Sequence, residues 1–154
     1  MGFVIRKFKR GDEKEVAKLI YETFRKYNEN DGSKKAIKKY LENNSLKKSS
    51  EELFNQYNGE IAFVALDGKK IIGFVKGKRG HLRNLFVYGK YHGKGIGKML
   101  MKKFESESKR MGSKEVVISH ASTYAVPFYE KIGYKKTTGV RTKCGLKVQP
   151  MKKV

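Results

Sequence analysis

Four of the chain's sixteen glycines fall within nine residues, at Gly89, Gly93, Gly95 and Gly97, in the segment Tyr91-His92-Gly93-Lys94-Gly95-Ile96-Gly97-Lys98. Glycine lets backbone approach a ligand closely, and the first N–H groups of a helix point outward without partners. With the helix dipole and Lys90, Lys94 and Lys98 around it, such a loop is expected to hold a phosphate or pyrophosphate. The spacing excludes the common phosphate loops. A Walker loop needs Gly five residues before Gly97-Lys98 and Ser or Thr after, where the chain has His92 and Met99. A dinucleotide fingerprint fails because Gly93 and Gly95 lead to Lys98, and Gly95 and Gly97 lead to Leu100. Gly77-Lys78-Arg79-Gly80 matches the Gly-x-x-Gly of a KH loop, but that loop joins helices and this one joins strands. The single cysteine, Cys144, excludes an internal disulfide and any multi-thiolate metal site.

The elements around the loop follow from periodicity. Phe3 to Phe8 reads as a strand. Asp12 with Glu15 forms an acidic variant of the capping box before a helix whose stripe is Val16, Leu19, Ile20, Phe24 and Tyr27. Ala36, Ile37, Tyr40 and Leu41 mark a second helix capped by Ser33, and Leu53, Phe54 and Tyr57 a third short one. From Gly59 the period changes. Ile61 to Leu66 and Ile71 to Val75 flank the hairpin signal Asp67-Gly68. A second turn, Gly77 to Gly80, leads to a strand at Leu82 to Val87. The glycine loop then opens a helix with Ile96, Met99, Leu100, Phe104 and Met111 on its apolar face, closed by Gly112. Val116 to Ile118 is a buried strand. Tyr124, Ala125, Phe128, Tyr129 and Ile132 form a helical stripe closed by Gly133. Terminal strands are expected near Tyr134 to Thr138 and Leu146 to Met151. The fold class is α/β of the α+β type: a mixed, mostly antiparallel sheet flanked by helices, in one domain over residues 1–154.

Leu85-Phe86-Val87, the glycine loop, its helix, and Ala125-Val126-Pro127-Phe128-Tyr129-Glu130-Lys131-Ile132-Gly133-Tyr134 together resemble the GCN5-related N-acetyltransferase (GNAT) superfamily. The loop is similar to that family's Gln/Arg-x-x-Gly-x-Gly signature and the later helix to its Phe-Tyr-Glu-Lys-x-Gly-Phe signature. The strong resemblance covers Leu82 to Tyr134. It implies acetyl-CoA as co-substrate, no metal, and transfer of the acetyl group to an amine by direct attack in a ternary complex. Backbone groups of Leu85, Phe86 and Val87 would meet the pantetheine arm. Amides of His92, Gly93, Lys94, Gly95, Ile96 and Gly97, with Lys98, would hold the pyrophosphate. His92 departs from the usual Gln or Arg, which puts any side-chain clamp there in doubt. Ser122, where many relatives carry Asn, and Phe128 would face the cofactor. Tyr129 matches the tyrosine that protonates the leaving thiolate.

The amine must be neutral when it attacks. Many relatives place a Glu on the strand ending at Val87, but His81-Leu82-Arg83-Asn84-Leu85 holds no carboxylate. His120, just after the buried strand, is the best substitute base, ahead of His81 and Glu60. Cys144, between turn residues, is expected to be inert. Tyr21, Phe24 and Tyr27 either line the acceptor site or pack in the core, and their helical spacing favours the core. The chain carries 36 Lys+Arg against 15 Asp+Glu, net +21. Such a field disfavours polycationic acceptors and favours a neutral or acidic amine of an amino acid, peptide or protein. Lys outnumbers Arg 29 to 7 and is spread along the chain, the texture of a solvated surface more than of a nucleic-acid face. A nucleic-acid-associated protein and a non-catalytic CoA-binding module stay open as alternatives, as does a homodimer. The longest apolar run, Ile61 to Leu66, is too short for a membrane span, which needs ~20 residues. A cytoplasmic location is expected.

Overall fold

The structure is a computed structural model and describes residues 2–154. Strand β1 (Val4–Lys7) is followed by helices α1 (Glu13–Tyr27), α2 (Lys34–Asn43) and α3 (Ser50–Tyr57). Strands β2 (Ile61–Asp67), β3 (Lys70–Lys78) and β4 (His81–Val87) lead to helix α4 (Ile96–Arg110). Strand β5 (Val116–Ser122), helix α5 (Val126–Lys131) and strands β6 (Lys135–Lys136), β7 (Arg141–Lys143) and β8 (Leu146–Lys153) complete the chain. One sheet runs β1-β2-β3-β4-β5-β8-β6, with β7 also on β8. Every pairing is antiparallel except β4 with β5.

Alternation along β2 sends Ile61, Phe63 and Ala65 to one face, where they meet Ile96, Leu100 and Phe104 of α4. It sends Val64 and Leu66 to the other, against Val16, Leu19 and Ile20 of α1 and Leu53 of α3. Both faces of the sheet are therefore covered, and burial of each such side chain contributes roughly 1.5–3 kcal/mol.

The helix start expected at Ser33 forms, its Oγ accepting from Ala36 N–H at 3.1 Å, and an additional one at Ser49 forms a full capping box with Glu52. The box expected at Asp12 does not form. Asp12 instead accepts two bonds from Arg6 (2.8 and 3.0 Å) and one from Lys9 N–H (2.9 Å), because a nearby guanidinium outcompetes a backbone amide for a carboxylate. Glu15 is drawn away to Ile71 N–H at 3.2 Å. Gly77 belongs to β3 and not to the following turn. A Cβ there would sit 2.7 Å from the Phe104 ring, so this glycine lets α4 press on the sheet. Met99 is exposed, since the buried arc of α4 runs through Leu100 and Met101. Tyr124 is likewise exposed, in a 3-10 turn before α5. Strand β7 had no hydrophobic alternation to announce it: all three of its residues are exposed.

Candidate active site

Strands β4 and β5 pair only at His81↔Val117 and Leu82↔Ile118. Beyond Leu82, β4 stays bonded to β3 as far as Val87, and β5 stays bonded to β8 as far as Ser122 through a register shift between Ile118 and Ala121. The two parallel strands thus splay and leave the edge of residues 83–87 open. A cleft of about 860 Å³ fills the gap. It is bounded by β4 and β5, by the α1–α2 connection, by the β7–β8 hairpin, and by the start of α4.

The open edge runs into the glycine loop. Gly93 (φ +79°) and Gly95 (φ +81°) are in the left-handed region, which favours glycine, and no atom lies within 4 Å of a Cβ built on either. Gly95 is the N-cap of α4 and supplies no side-chain cap. The N–H groups of residues 96–98 accordingly have no acceptor among the described residues. At Gly97 a Cβ would stand 3.1 Å from the Phe128 ring, so α5 packs directly on the first turn of α4. His92 does not reach out from the loop. Its Nε2 lies 2.7 Å from the Val87 carbonyl, which can only accept, so Nε2 carries the proton. The ring lies beside Tyr27 (centroids 5.1 Å), which in turn lies beside Tyr124 (4.7 Å).

Tyr129 lines the cleft from α5, its ring edge-on to Phe128 and Tyr134 (5.3 and 5.7 Å). Burial pushes its phenol well above the ordinary value, so it is protonated at neutral pH. Other buried phenols are spoken for: Tyr57 bonds Asn44, Tyr91 bonds Asp67 and Tyr134 bonds Glu105. The Tyr129 hydroxyl has no partner among the described residues. Ser122 is a cap, its Oγ accepting from Ala125 N–H at 3.2 Å, which leaves its O–H free for the cleft.

The three carboxyl or imidazole candidates separate in space. His120 lines the cleft, half-buried, and burial together with Lys143, Arg83 and His81 lowers its pKa. His81 does not line it; its Nε2 is 2.9 Å from Ser119 Oγ. Glu60 lies in a different, smaller cavity, where its Oε1 accepts from Arg79 N–H at 2.9 Å.

Phe24 and Tyr27 do line the cleft, and Tyr21 does not. Three further features escaped sequence reasoning. Thr23 Oγ1 is the one buried side-chain polar atom without a partner among the described residues, and Thr23 borders the cleft. Cys144 (φ +51°) and Gly145 (φ +79°) make the tight turn of the β7–β8 hairpin, which places Cys144 on the cleft rim. That hairpin is strapped to the α1–α2 connection: Ser33 N–H donates to Gly145 O (3.3 Å) and Lys147 N–H to Asp31 O (2.5 Å). The buried Asp31 carboxylate accepts from Asn28 Nδ2 (2.9 Å) and from the Thr123 hydroxyl. Only the unexplained polarity of Asn28, Asp31 and Thr123 hinted at this knot.

Among the described residues no group of three or more His, Cys, Asp or Glu is placed to hold a metal, and no helix is long and apolar enough to cross a membrane.

The splayed parallel pair beside a glycine-rich helix start is the arrangement expected of the acetyltransferase class that the sequence resembles. The model of the acetyltransferase (GNAT) domain matches residues 14–154, and the chain belongs to that family. It is 31% identical over 91 residues to an uncharacterized N-acetyltransferase, YjcF, of Bacillus subtilis (strain 168). That match covers 56% of this chain and 64% of the relative. The fold is shared with a GCN5-related N-acetyltransferase from Rhodopseudomonas palustris (TM-score 0.84, 19% identity, 99% of this chain and 96% of that one). It is shared also with the PaiA N-acetyltransferase of Thermoplasma acidophilum in complex with coenzyme A (0.77, 24%, 99% of each chain), and with an aminoglycoside 6'-N-acetyltransferase complexed with coenzyme A (0.70, 19%, 97% and 96%).

Proposed function

We propose that the protein is an N-acetyltransferase that moves an acetyl group from acetyl-CoA to a neutral or acidic amine in a ternary complex. The observation that carries the reading is the open edge of β4 running into unpaired helix amides flanked by lysines. An extended amide-bearing arm ending in a pyrophosphate suits that sequence of groups. The open edge at Leu85, Phe86 and Val87 takes the pantetheine arm, with the Val87 carbonyl already used by His92. The amides from Gly93 to Lys98 take the pyrophosphate. The coenzyme A bound by the two neighbours named above is consistent with this placement.

In the reaction the amine nitrogen attacks the thioester carbon, the C–N bond forms, and the C–S bond breaks. One proton leaves the ammonium before attack, and a second leaves the nitrogen as the amide forms. His120 is the acceptor for the first. Its lowered pKa keeps the ring neutral at physiological pH, so it has a lone pair with which to take that proton. Tyr129 passes its phenolic proton to the departing sulfur, which ends as the thiol, and is reprotonated by the second proton lost from the nitrogen. The remaining acceleration comes from holding amine and thioester together, a positional term that reaches ~7–11 kcal/mol in well-oriented systems.

The choice of acceptor follows from the charge of the cleft. Arg83, Lys98, Lys131, Lys143 and Lys147 line it, against the single carboxylate of Asp31, both of whose oxygens are engaged. A polycation finds no counter-ion there. Calorimetry with acetyl-CoA, then thiol release with a panel of amines, tests the reading. Micromolar acetyl-CoA binding and turnover with neutral or acidic amines are expected. A folded sample that binds no acetyl-CoA, or that prefers spermidine to every acidic amine, overturns it.

A further inference from the structure

A second cavity, of about 410 Å³, lies between β3, β4 and the α3–β2 connection. Asn58, Glu60, Lys76, Lys78, Arg83 and Asn84 bound it. Arg83 and Asn84 also line the main cleft, so the two spaces share one wall. The register explains how one residue serves both. Lys76 pairs with Asn84 and Gly77 with Leu82, which leaves Arg83 as the extra residue of a β-bulge. A bulge re-aims the side chain it carries, and such irregularities gather beside active sites.

The cavity holds three cations against the one carboxylate of Glu60. None of Lys76, Lys78 and Arg83 forms an ion pair among the described residues. Lys76 is half-buried and gives one N–H to the Gln56 carbonyl (2.5 Å), leaving two donors of its ammonium unused. Burial, then the charges of Arg83 and Lys78, lower its pKa, the response of an ammonium short of counter-charge. An anion would relieve both the unused donors and the repulsion. Arg83 is the natural anchor, because a guanidinium matches a carboxylate with two parallel bonds.

We infer that this cavity is the anion-recognising half of the acceptor site, and that the acceptor is an acidic amino acid, free or at the start of a peptide, whose side-chain carboxylate is held by Arg83 with Lys76 and Lys78. The distance fits one residue's reach: Arg83 and the open edge at Leu85 are two strand positions apart, about 7 Å. The inference rests on the acetyl transfer proposed above and adds to it the group that is recognised besides the nitrogen.

The test uses the full chain with acetyl-CoA and three tripeptide amides that differ only in the first residue, Glu-Ala-Ala, Gln-Ala-Ala and Lys-Ala-Ala, together with free glutamate. The wild type should show kcat/KM for the Glu peptide about tenfold or more above the Gln peptide, the scale of a hydrogen bond to a charged group. Arg83→Gln should bring that ratio close to one. Arg83→Glu should turn the preference toward the Lys peptide. Lys78→Gln, at an exposed position, should lower the ratio partially and serves if an Arg83 variant does not fold. Acetyl-CoA affinity, measured by calorimetry on each variant, reports folding independently of the acceptor. Turnover on glutamate but not on the Glu peptide assigns the free amino acid; the reverse assigns a chain start. A wild-type ratio of one, or a ratio unmoved in both Arg83→Gln and Lys78→Gln, overturns the inference and leaves acetyl transfer standing. Absence of acetyl-CoA binding, or of thiol release with any amine, overturns both.

Discussion

Replacing Gly95 by alanine separates the loop's backbone shape from its ligand role. Gly95 sits at φ +81° and ψ 7°, with no atom within 4 Å of a built Cβ. No collision results, so the structural penalty is conformational alone. A left-handed L-residue costs roughly 1–2 kcal/mol. Alanine also reduces the freedom of the unfolded chain, which returns about 0.4–1 kcal/mol. The net loss is about 1 kcal/mol, seen as a fall in Tm of ~2–4 °C for a chain of this size. The effect on the ligand is larger. The added methyl projects into the open space before the unpaired amides, and losing one hydrogen bond to a charged group costs about 1.5–3 kcal/mol. Acetyl-CoA affinity should therefore fall at least about tenfold. Gly95→Asn tolerates the left-handed conformation better, so it should recover stability and not affinity. Gly112→Ala is the control: φ is +96°, the space is equally open, and the residue ends α4 far along the helix from the loop. It should lose comparable stability and no affinity. Thermal denaturation and calorimetry on the three variants decide the matter. Wild-type acetyl-CoA affinity in Gly95→Ala, or an equal loss in Gly112→Ala, would refute the reasoning.

Tyr129→Phe removes a hydroxyl with no protein partner, so Tm should stay within about 2 °C, while kcat falls about 10²-fold and acetyl-CoA affinity holds. His120→Gln should lower kcat and erase the acidic limb of the kcat/KM profile. Because the folded pKa of His120 is lowered, that limb in the wild type lies below pH 6.5. The same shift, shared by His81, means that the unfolded chain binds more protons between the ordinary value and the lowered one. Stability contributed by the two neutral rings is thus complete above pH 6.5 and declines as pH falls through that window, as urea titrations at several pH values would report. Asp31→Ala strands the Asn28 amide and the Thr123 hydroxyl and should cost about 1–3 kcal/mol in chemical denaturation.

The parts of this fold that were legible in the sequence are those specified locally. Period-two runs at Ile61 to Leu66 and period-3.6 runs from Val16 and Ile96 declare their own faces. The helix ends at Gly112 and Gly133 are declared by glycine, and both are left-handed. What was not legible depends on partners remote in sequence. Asp12 reads as a cap until Arg6 is seen beside it. Gly77 reads as a turn until Phe104 is laid across it. Strand β7 is exposed on both faces and pairs only because β8 is there. The candidate site divides in the same way. The glycine loop and Tyr129 lie within continuous motifs. Thr23, Asp31, Arg83 and Cys144 meet at one cleft from four separate segments, and no spacing rule connects them. Arg83 belongs to no motif, and its place between the two cavities comes from the bulge opposite Lys76 and Gly77.

The strap between residues 31–33 and 145–147 also sets the order in which the molecule is assembled. Its contacts close a loop of more than a hundred residues, whereas the β2–β3–β4 meander and α4 are built from near neighbours. Long closures form after local ones. The segments 31–33 and 145–147 are therefore expected to join late on folding, which φ-values at Asp31 and Lys147 would report. They are held by two backbone hydrogen bonds and one buried carboxylate, without the packed aromatic and aliphatic layers that fix α4, and segments so held open first in the native state. Amide protons of Ser33 and Lys147 should exchange with solvent well before those of β2 and β3. The strapped end of the cleft should open before the end built by the glycine loop and α4.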